Sequence, residues 1–369
     1  VVLSGGGARA AYEVGVLKAI FEGTCPAAKG LPLPEVFCGT GAGAFNAAVI
    51  CSRLPGQYPS PIGYLQSLWA DEIPQEGRMR NNRVYRRRLD WLQFFDLPFM
   101  WRRPLKSWIQ FFGDAALVLP ELARRTGRAL SGGGMASWLD LSIWHDISPM
   151  RRLITESVNL GVIRDGETDT RQKRILRVVA TERGSGQPKI FTNAEFTEEV
   201  GYLAILASCA LPVIFPAVTI QGKEYIYGGL VMQTPLQPAI DAGCDVIYVI
   251  HNEPKFDPRG DEPASALDAI NRSITVALAS AMERDLDARR RINALAEGFE
   301  RMKQTTGVDP RAYLPDPGQY RRVVVHQFRP KRVLGGRGSF LNFSRENIEA
   351  AIAEGERDAA NYDLSESIL

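Results

Sequence analysis

The sequence predicts an α/β protein with a mainly parallel central sheet lying between helices. Three observations carry this. A short apolar strand, a glycine turn and a helix follow one another at the start of the chain. The same order then repeats over Glu35–Ser52. Farther on, Asp245–His251 is almost wholly apolar, as expected of a strand buried on both faces. Parallel neighbours need crossover connections, and helices between the strands supply them. With 369 residues, 45% of them apolar, the chain is long enough for one substantial core, read here as a single domain over residues 1–363.

Val1–Leu3 reads as the end of a buried strand and Ser4–Gly7 as the turn. Ala8–Phe21 is the first helix, with Val14, Leu17 and Phe21 on one stripe. In the second unit Glu35–Cys38 is the strand, Gly39–Gly43 the turn and Ala44–Ser52 a helix of small residues. Residues 78–134 interrupt the pattern as a helical insert rich in large aromatics. Between Arg78 and Arg128 twelve basic residues stand against four acidic ones. Arg174–Ala180 resumes the sheet and pairs with Lys189–Phe191. Val218–Ile220 and Glu224–Tyr227 flank Gln221-Gly222 as a hairpin. Asp245–His251 follows, then a long amphipathic helix with Leu267, Ile270, Ile274, Leu278 and Met282 at helical spacing. Arg322–Arg329 is the last strand and Ser344–Gly355 the closing helix.

Composition removes several classes of function. A net charge of +2 gives no global signal for binding a polyanion, so nucleic acid is not an expected partner. The five cysteines, Cys25, Cys38, Cys51, Cys209 and Cys244, are odd in number and lack metal or redox spacing. They read as reduced, mostly buried thiols of a cytoplasmic type of protein, with neither metal nor cofactor expected. No apolar run reaches the roughly 18 residues of a spanning helix, and Ala204–Val218 is broken by Pro212 and Pro216. Attachment to a membrane surface stays open. Val1 already sits in an apolar run, so a start farther upstream is expected and secretion also stays open.

Two glycine motifs carry the chemistry. Gly5-Gly6-Gly7-Ala8-Arg9-Ala10 joins a strand to a helix, where backbone N–H groups and the helix dipole favour an anion. One reading is a phosphate or nucleotide loop. Against it, Ala10 stands where a dinucleotide fingerprint has its third glycine, and no acidic residue follows at the ribose-binding distance. The second motif, Gly39-Thr40-Gly41-Ala42-Gly43, has the outline of a nucleophile elbow, a sharp strand-to-helix turn that needs its flanking glycines Gly39 and Gly43.

Taken in order, a Gly-Gly-Gly-x-Arg loop, an elbow and the Gly228-Gly229 turn resemble the patatin-like phospholipases. Further stretches extend the resemblance from Val1 to about Asp363. They are Ala207-Ser208-Cys209-Ala210-Leu211-Pro212 into Phe215-Pro216, Gln233-Thr234-Pro235-Leu236, and Phe343-Ser344-Arg345-Glu346-Asn347-Ile348. The resemblance implies a three-layer fold and hydrolysis of lipid acyl esters by a Ser–Asp dyad, with no histidine in the mechanism. His145, His251 and His326 accordingly match no catalytic position, and His251 reads as a solvated or capping residue at a strand end. The resemblance makes Gly5, Gly6, Gly7 and Arg9 the oxyanion hole and implies lipid acyl esters or a membrane surface as partners.

It also implies serine at 41 and aspartate at 227. The chain has Gly41 and Tyr227 instead. Glycine has no oxygen to attack with, and a phenol with a pKa near 10 is a poor base at neutral pH. Hydrolysis is therefore expected to be impaired. Neither residue is a shape-preserving replacement, which points to natural drift. The alternative is an active serine hydrolase whose natural sequence carries Ser and Asp at these positions. Thr40 is expected to point away from the site by strand alternation.

The insert admits two readings. Arg86, Arg87 and Arg88, with Trp108 and Phe112 on one face of a helix begun at Pro104, suit contact with anionic lipid. Equally, that apolar face suits a cap packed on the main body.

Overall fold

In the computed structural model the described residues are 1–54, 56–74, 82–87, 114–120, 122–124, 145–169, 173–212, 214–255, 266–335 and 339–368. The strands are β1 (Val2–Leu3), β2 (Val36–Thr40), β3 (Arg86–Arg87), β4 (His145–Asp146), β5 (Ile175–Glu182), β6 (Pro188–Thr192), β7 (Val218–Ile220), β8 (Lys223–Tyr227), β9 (Val246–Ile250) and β10 (Val324–Phe328). The helices used below are α1 (Ala11–Phe21), α2 (Ala42–Cys51), α3 (Pro61–Ser67), α4 (Ser148–Ser157), α5 (Leu160–Gly166), α6 (Gly201–Ser208), α7 (Leu236–Asp241), α8 (Ala266–Thr306) and α9 (Arg345–Ala360).

Eight strands form one sheet in the order β10-β9-β1-β2-β5-β8-β7, with β6 also on β5. From β10 to β5 every neighbour is parallel. The β6, β7 and β8 pairings are antiparallel. The alternation of side chains divides the core in two. Leu3, Phe37, Tyr248 and Ile250 face one cluster with α1, α2 and α9. Val2, Cys38, Ile247 and Val249 face the other with Leu236 and Ile240 of α7 and Met282 and Leu286 of α8. Helices thus cover both faces, the three-layer arrangement expected from the buried-strand patterning.

The hairpin expected at Gln221-Gly222 is present, with positive φ at both residues (48° and 80°), the turn whose twist matches paired strands. The second unit differs in detail. Gly39 and Thr40 belong to β2 rather than to the turn, because they pair with Val178 and Val179 of β5. The closing helix begins where expected, its first turn capped by the Ser344 hydroxyl accepting from Asn347 N–H. The five cysteines are free thiols.

His251 is not solvated. It is fully buried at the end of β9, with Gln327 of β10 beside its ring. Burial, and then the charge of Arg329, hold its pKa well below the ordinary value. The sequence missed this because the covering strand β10 lies far away in the chain.

Of the insert, Arg86 and Arg87 lie in β3. Arg86 grips the buried Asp114 with both nitrogens (2.6 and 2.7 Å) and reaches Asp146 at 3.1 Å. Arg88, Trp108 and Phe112 lie outside the described residues.

Candidate active site

The glycine loop and the elbow meet at the carboxyl ends of β1 and β2, where open α/β sheets place their ligands. Gly6 precedes a short 3-10 turn, Gly7–Ala10, that runs into α1. Gly7 has φ +57°, and a side chain there would strike the Phe340 carbonyl. A β-carbon on Gly6 would fall on Asn252. Among the described residues, no hydrogen bond uses the N–H groups of Gly6 and Gly7, so both remain available to an acceptor. Arg9 does not stand free beside them. Its guanidinium pairs with Glu253 and also reaches Gly6 O at 3.4 Å.

Gly41 has φ 59° and ψ −130°, a conformation that residues with a β-carbon strongly disfavour. Its N–H donates to Ser208 Oγ (2.9 Å), and that hydroxyl donates on to Val179 O (2.6 Å). The strained turn is thereby tied to the neighbouring strand and to α6. Gly39 and Gly43 are required by backbone proximity. A β-carbon at Gly39 would lie 2.5 Å from Gly43 O, and one at Gly43 would lie 2.6 Å from Leu3 O. Thr40 points away from the cavity, as alternation requires, and donates to Met232 O at 2.9 Å.

Tyr227 ends β8 and brings its ring across both motifs. A β-carbon on Gly41 would sit 2.7 Å from Tyr227 Cε2, and one on Gly5 would fall on the Tyr227 hydroxyl. That hydroxyl donates to Gln233 Oε1 (2.7 Å), and Gln233 Nε2 donates to Gly5 O (2.7 Å). Burial raises the phenol's pKa above its ordinary value. Gly228 and Gly229 follow, pressed against Val179 O and Gln233 Oε1 respectively. The structure therefore brings together Gly5, Gly41, Tyr227 and Gly229, residues far apart in the chain.

These groups form part of the wall of an apolar cavity of about 110 Å3. Phe45, Trp69, Ile73, Leu153, Phe215 and Met282 contribute much of the rest. Cys209 also faces it, but burial pushes its thiol up, away from the reactive thiolate. Ser4 and Ser208 are buried, and Ser4 Oγ lies 3.4 Å from Thr234 Oγ1.

Beneath the loop lies a network that sequence reasoning missed. Glu13 of α1 is fully buried and accepts from Asn46 Nδ2 and Asn252 Nδ2, each at 2.7 Å. The same amides donate to Ala10 O (3.2 Å) and Ser4 O (2.7 Å), the two ends of the glycine loop. Trp69 Nε1 donates to Asn46 Oδ1 at 2.7 Å. Burial raises the Glu13 pKa to about 8, opposed by the hydrogen bonds from the two asparagines and the Ser4 backbone. Its one visible signal in the sequence was an acidic residue among the apolar ones that open the helix.

The family model described as patatin-like phospholipase matches residues 1–240. The chain belongs to the patatin-like phospholipase family. The matched part of this patatin-like chain spans both glycine motifs and the Gly228-Gly229 turn, while β9, β10 and the last two helices lie beyond it. Among solved structures, VipD from Legionella pneumophila is similar at 14% identity with a TM-score of 0.36. That alignment covers 96% of this chain and 66% of VipD, so the chain spans just under two thirds of that protein's length. No curated protein matches. Among the described residues no helix is long and apolar enough to cross a membrane.

Proposed function

We propose that this patatin-like chain keeps a lipid acyl site but hydrolyses esters there poorly or not at all. One observation carries the reading. The space that a side chain at 41 needs is filled by the Tyr227 ring, 2.7 Å from the position of its β-carbon. The elbow backbone, the unused Gly6 and Gly7 N–H groups and the apolar cavity are all in place around it. What is missing is an attacking oxygen and a base to take its proton. Ser4, Ser208 and Cys209 are not expected to substitute, since Ser4 Oγ pairs with Thr234 Oγ1, the Ser208 hydroxyl is committed to Val179 O and the thiol is held neutral. A membrane surface is the natural source of such a lipid. The basic and aromatic residues of the insert, Arg87, Arg88, Trp108 and Phe112, are the proposed contacts, since Arg86 is committed to Asp114 and Asp146.

The purified chain is expected to leave p-nitrophenyl esters unhydrolysed above background and to resist labelling by a fluorophosphonate. Gly41→Ser alone is expected to stay inactive, because its hydroxyl meets a phenyl ring and no base. Turnover by the unaltered chain that a fluorophosphonate abolishes would sink this reading. Gly41→Ser combined with Tyr227→Asp tests whether the rest of the site is still competent.

A further inference from the structure

We propose that the cavity holds an aliphatic chain tail-first, with its methyl end against Tyr227 and its head group at the rim, so that Tyr227 sets the chain length accepted. The inference rests on the reading of the cavity as a lipid site and concerns how the lipid lies in it.

The two ends of the cavity differ in exposure and in polarity. The floor consists of buried groups: Ser4, Gly5, Gly41, Trp69, Ile73 and Tyr227. Gly7, Arg9, Leu211, Phe215 and Leu341 are only half-buried and form the rim. At the floor most polar atoms are already spent on one another, and of the buried wall Gly6 keeps an unused N–H among the described residues. Tyr227 donates to Gln233, Gln233 donates to Gly5 O, and the Gly41 N–H is taken by Ser208. A carboxylate placed there would lose its hydration and gain at most the single Gly6 N–H in return, which is costly. At the rim, by contrast, the Gly7 N–H is free and the Arg9–Glu253 pair offers charge of both signs near water. A charged head keeps its hydration at the half-buried rim and loses it at the floor, whereas a methyl end is suited to the floor.

Volume supplies the length argument. At about 110 Å3 the cavity is smaller than the roughly 150 Å3 apolar cavity known to hold one benzene molecule. It accepts a short run of methylenes before the chain reaches the ring. The Tyr227 ring stands against Gly5 and Gly41 in the floor, so removing it enlarges the cavity at the end where the tail arrives.

The test has two parts. In the first, a homologous series of saturated fatty acids is titrated into the wild-type chain and into Tyr227→Ala. Each methylene that enters strengthens binding about fourfold, and the gain stops where the tail meets a wall. The gain is expected to stop at a shorter chain in the wild type than in the variant. In the second part, on wild type alone, fatty acids carry a photoreactive diazirine at the terminal carbon or beside the carboxyl. The terminal probe is expected to label peptides containing Gly41 or Tyr227–Gln233, and the other probe those containing Leu211–Phe215 or Phe340–Phe343. Binding with the two labelling patterns exchanged, or with the same length limit in both proteins, overturns the tail-first arrangement. Failure of every chain length to bind either protein overturns the lipid-site reading itself.

Discussion

The glycine loop and the elbow are neighbours built alike, yet they have fared differently. Each joins a strand to a helix and holds one glycine at positive φ, Gly7 at 57° and Gly41 at 59°. In the loop Gly5 meets the Tyr227 hydroxyl, but Gly6 and Gly7 stand clear of that ring. Gly6 lies on Asn252 and Gly7 on the Phe340 carbonyl, and their N–H groups stay free. At the elbow the backbone is equally well held, through Ser208, but the room above it has been taken by a side chain from β8. The shape of a reactive turn is maintained by the packing beneath it, whereas its reactivity depends on what stands above it.

The largest effect that bears on this contrast is expected in the loop. Gly7→Ala forces a β-carbon into the left-handed region and against a backbone carbonyl, neither of which yields. Destabilisation of about 2–4 kcal/mol is expected by urea unfolding. A cost no greater than a surface substitution would mean that the loop is not fixed by this approach. At the elbow, Gly41→Ala is expected to cost about 2 kcal/mol, from backbone strain and from the Tyr227 ring together. The ring is a side chain and can be removed. In a Tyr227→Ala background the same change is expected to cost about 1 kcal/mol less, a coupling within the usual range for touching residues. Strictly additive costs would show that the ring does not occupy the space above 41.

Removing only the hydroxyl is a smaller step. Tyr227→Phe leaves the ring in place and the buried Gln233 Oε1 without its donor, for an expected loss of about 1 kcal/mol. Unchanged stability would mean that the hydroxyl contributes little to holding the ring. The finest effect is a change of slope with pH. Glu13 has a folded-state pKa of about 8, raised by burial from an ordinary value of 4.5. Between those two values the folded state holds the proton more tightly than the unfolded state does. The stability this contributes is fully present below about pH 4.5 and is lost as pH rises towards 8. Glu13→Gln cannot titrate, so the decline across that window should flatten. A variant whose midpoint falls with pH as steeply as the wild type would place the linkage elsewhere.

Much of this was legible in the sequence because it is written locally. Two strand–glycine–helix units, a Gln-Gly hairpin and an apolar strand are each readable within a dozen residues or so, and they specify most of the sheet. Gly41 and Tyr227 stood out as departures from a familiar order of motifs. What the sequence did not show depends on pairing across the chain. Gly39 and Thr40 extend a strand because β5 lies beside them. His251 looked like a strand end in solvent, but β10 and the residues around it exclude water. Arg86 looked like a free charge until Asp114 and Asp146 were brought to it. Glu13 drew no reading from the sequence, because its partners come from α2 and from just beyond β9. That the tyrosine ring rests on the residue at 41, rather than merely near it, was visible only in three dimensions.

That contact has a bearing on history. A chain with any β-carbon at 41 has no room for a tyrosine at 227 in this orientation, since the two lie 2.7 Å apart. A chain with glycine at 41 tolerates many residues at 227. On the proposed reading, a serine at 41 would have been lost before Tyr227 arrived or together with its arrival. On that reading a single change at 41 meets the Tyr227 ring, and a side chain can return there only once position 227 has been cleared.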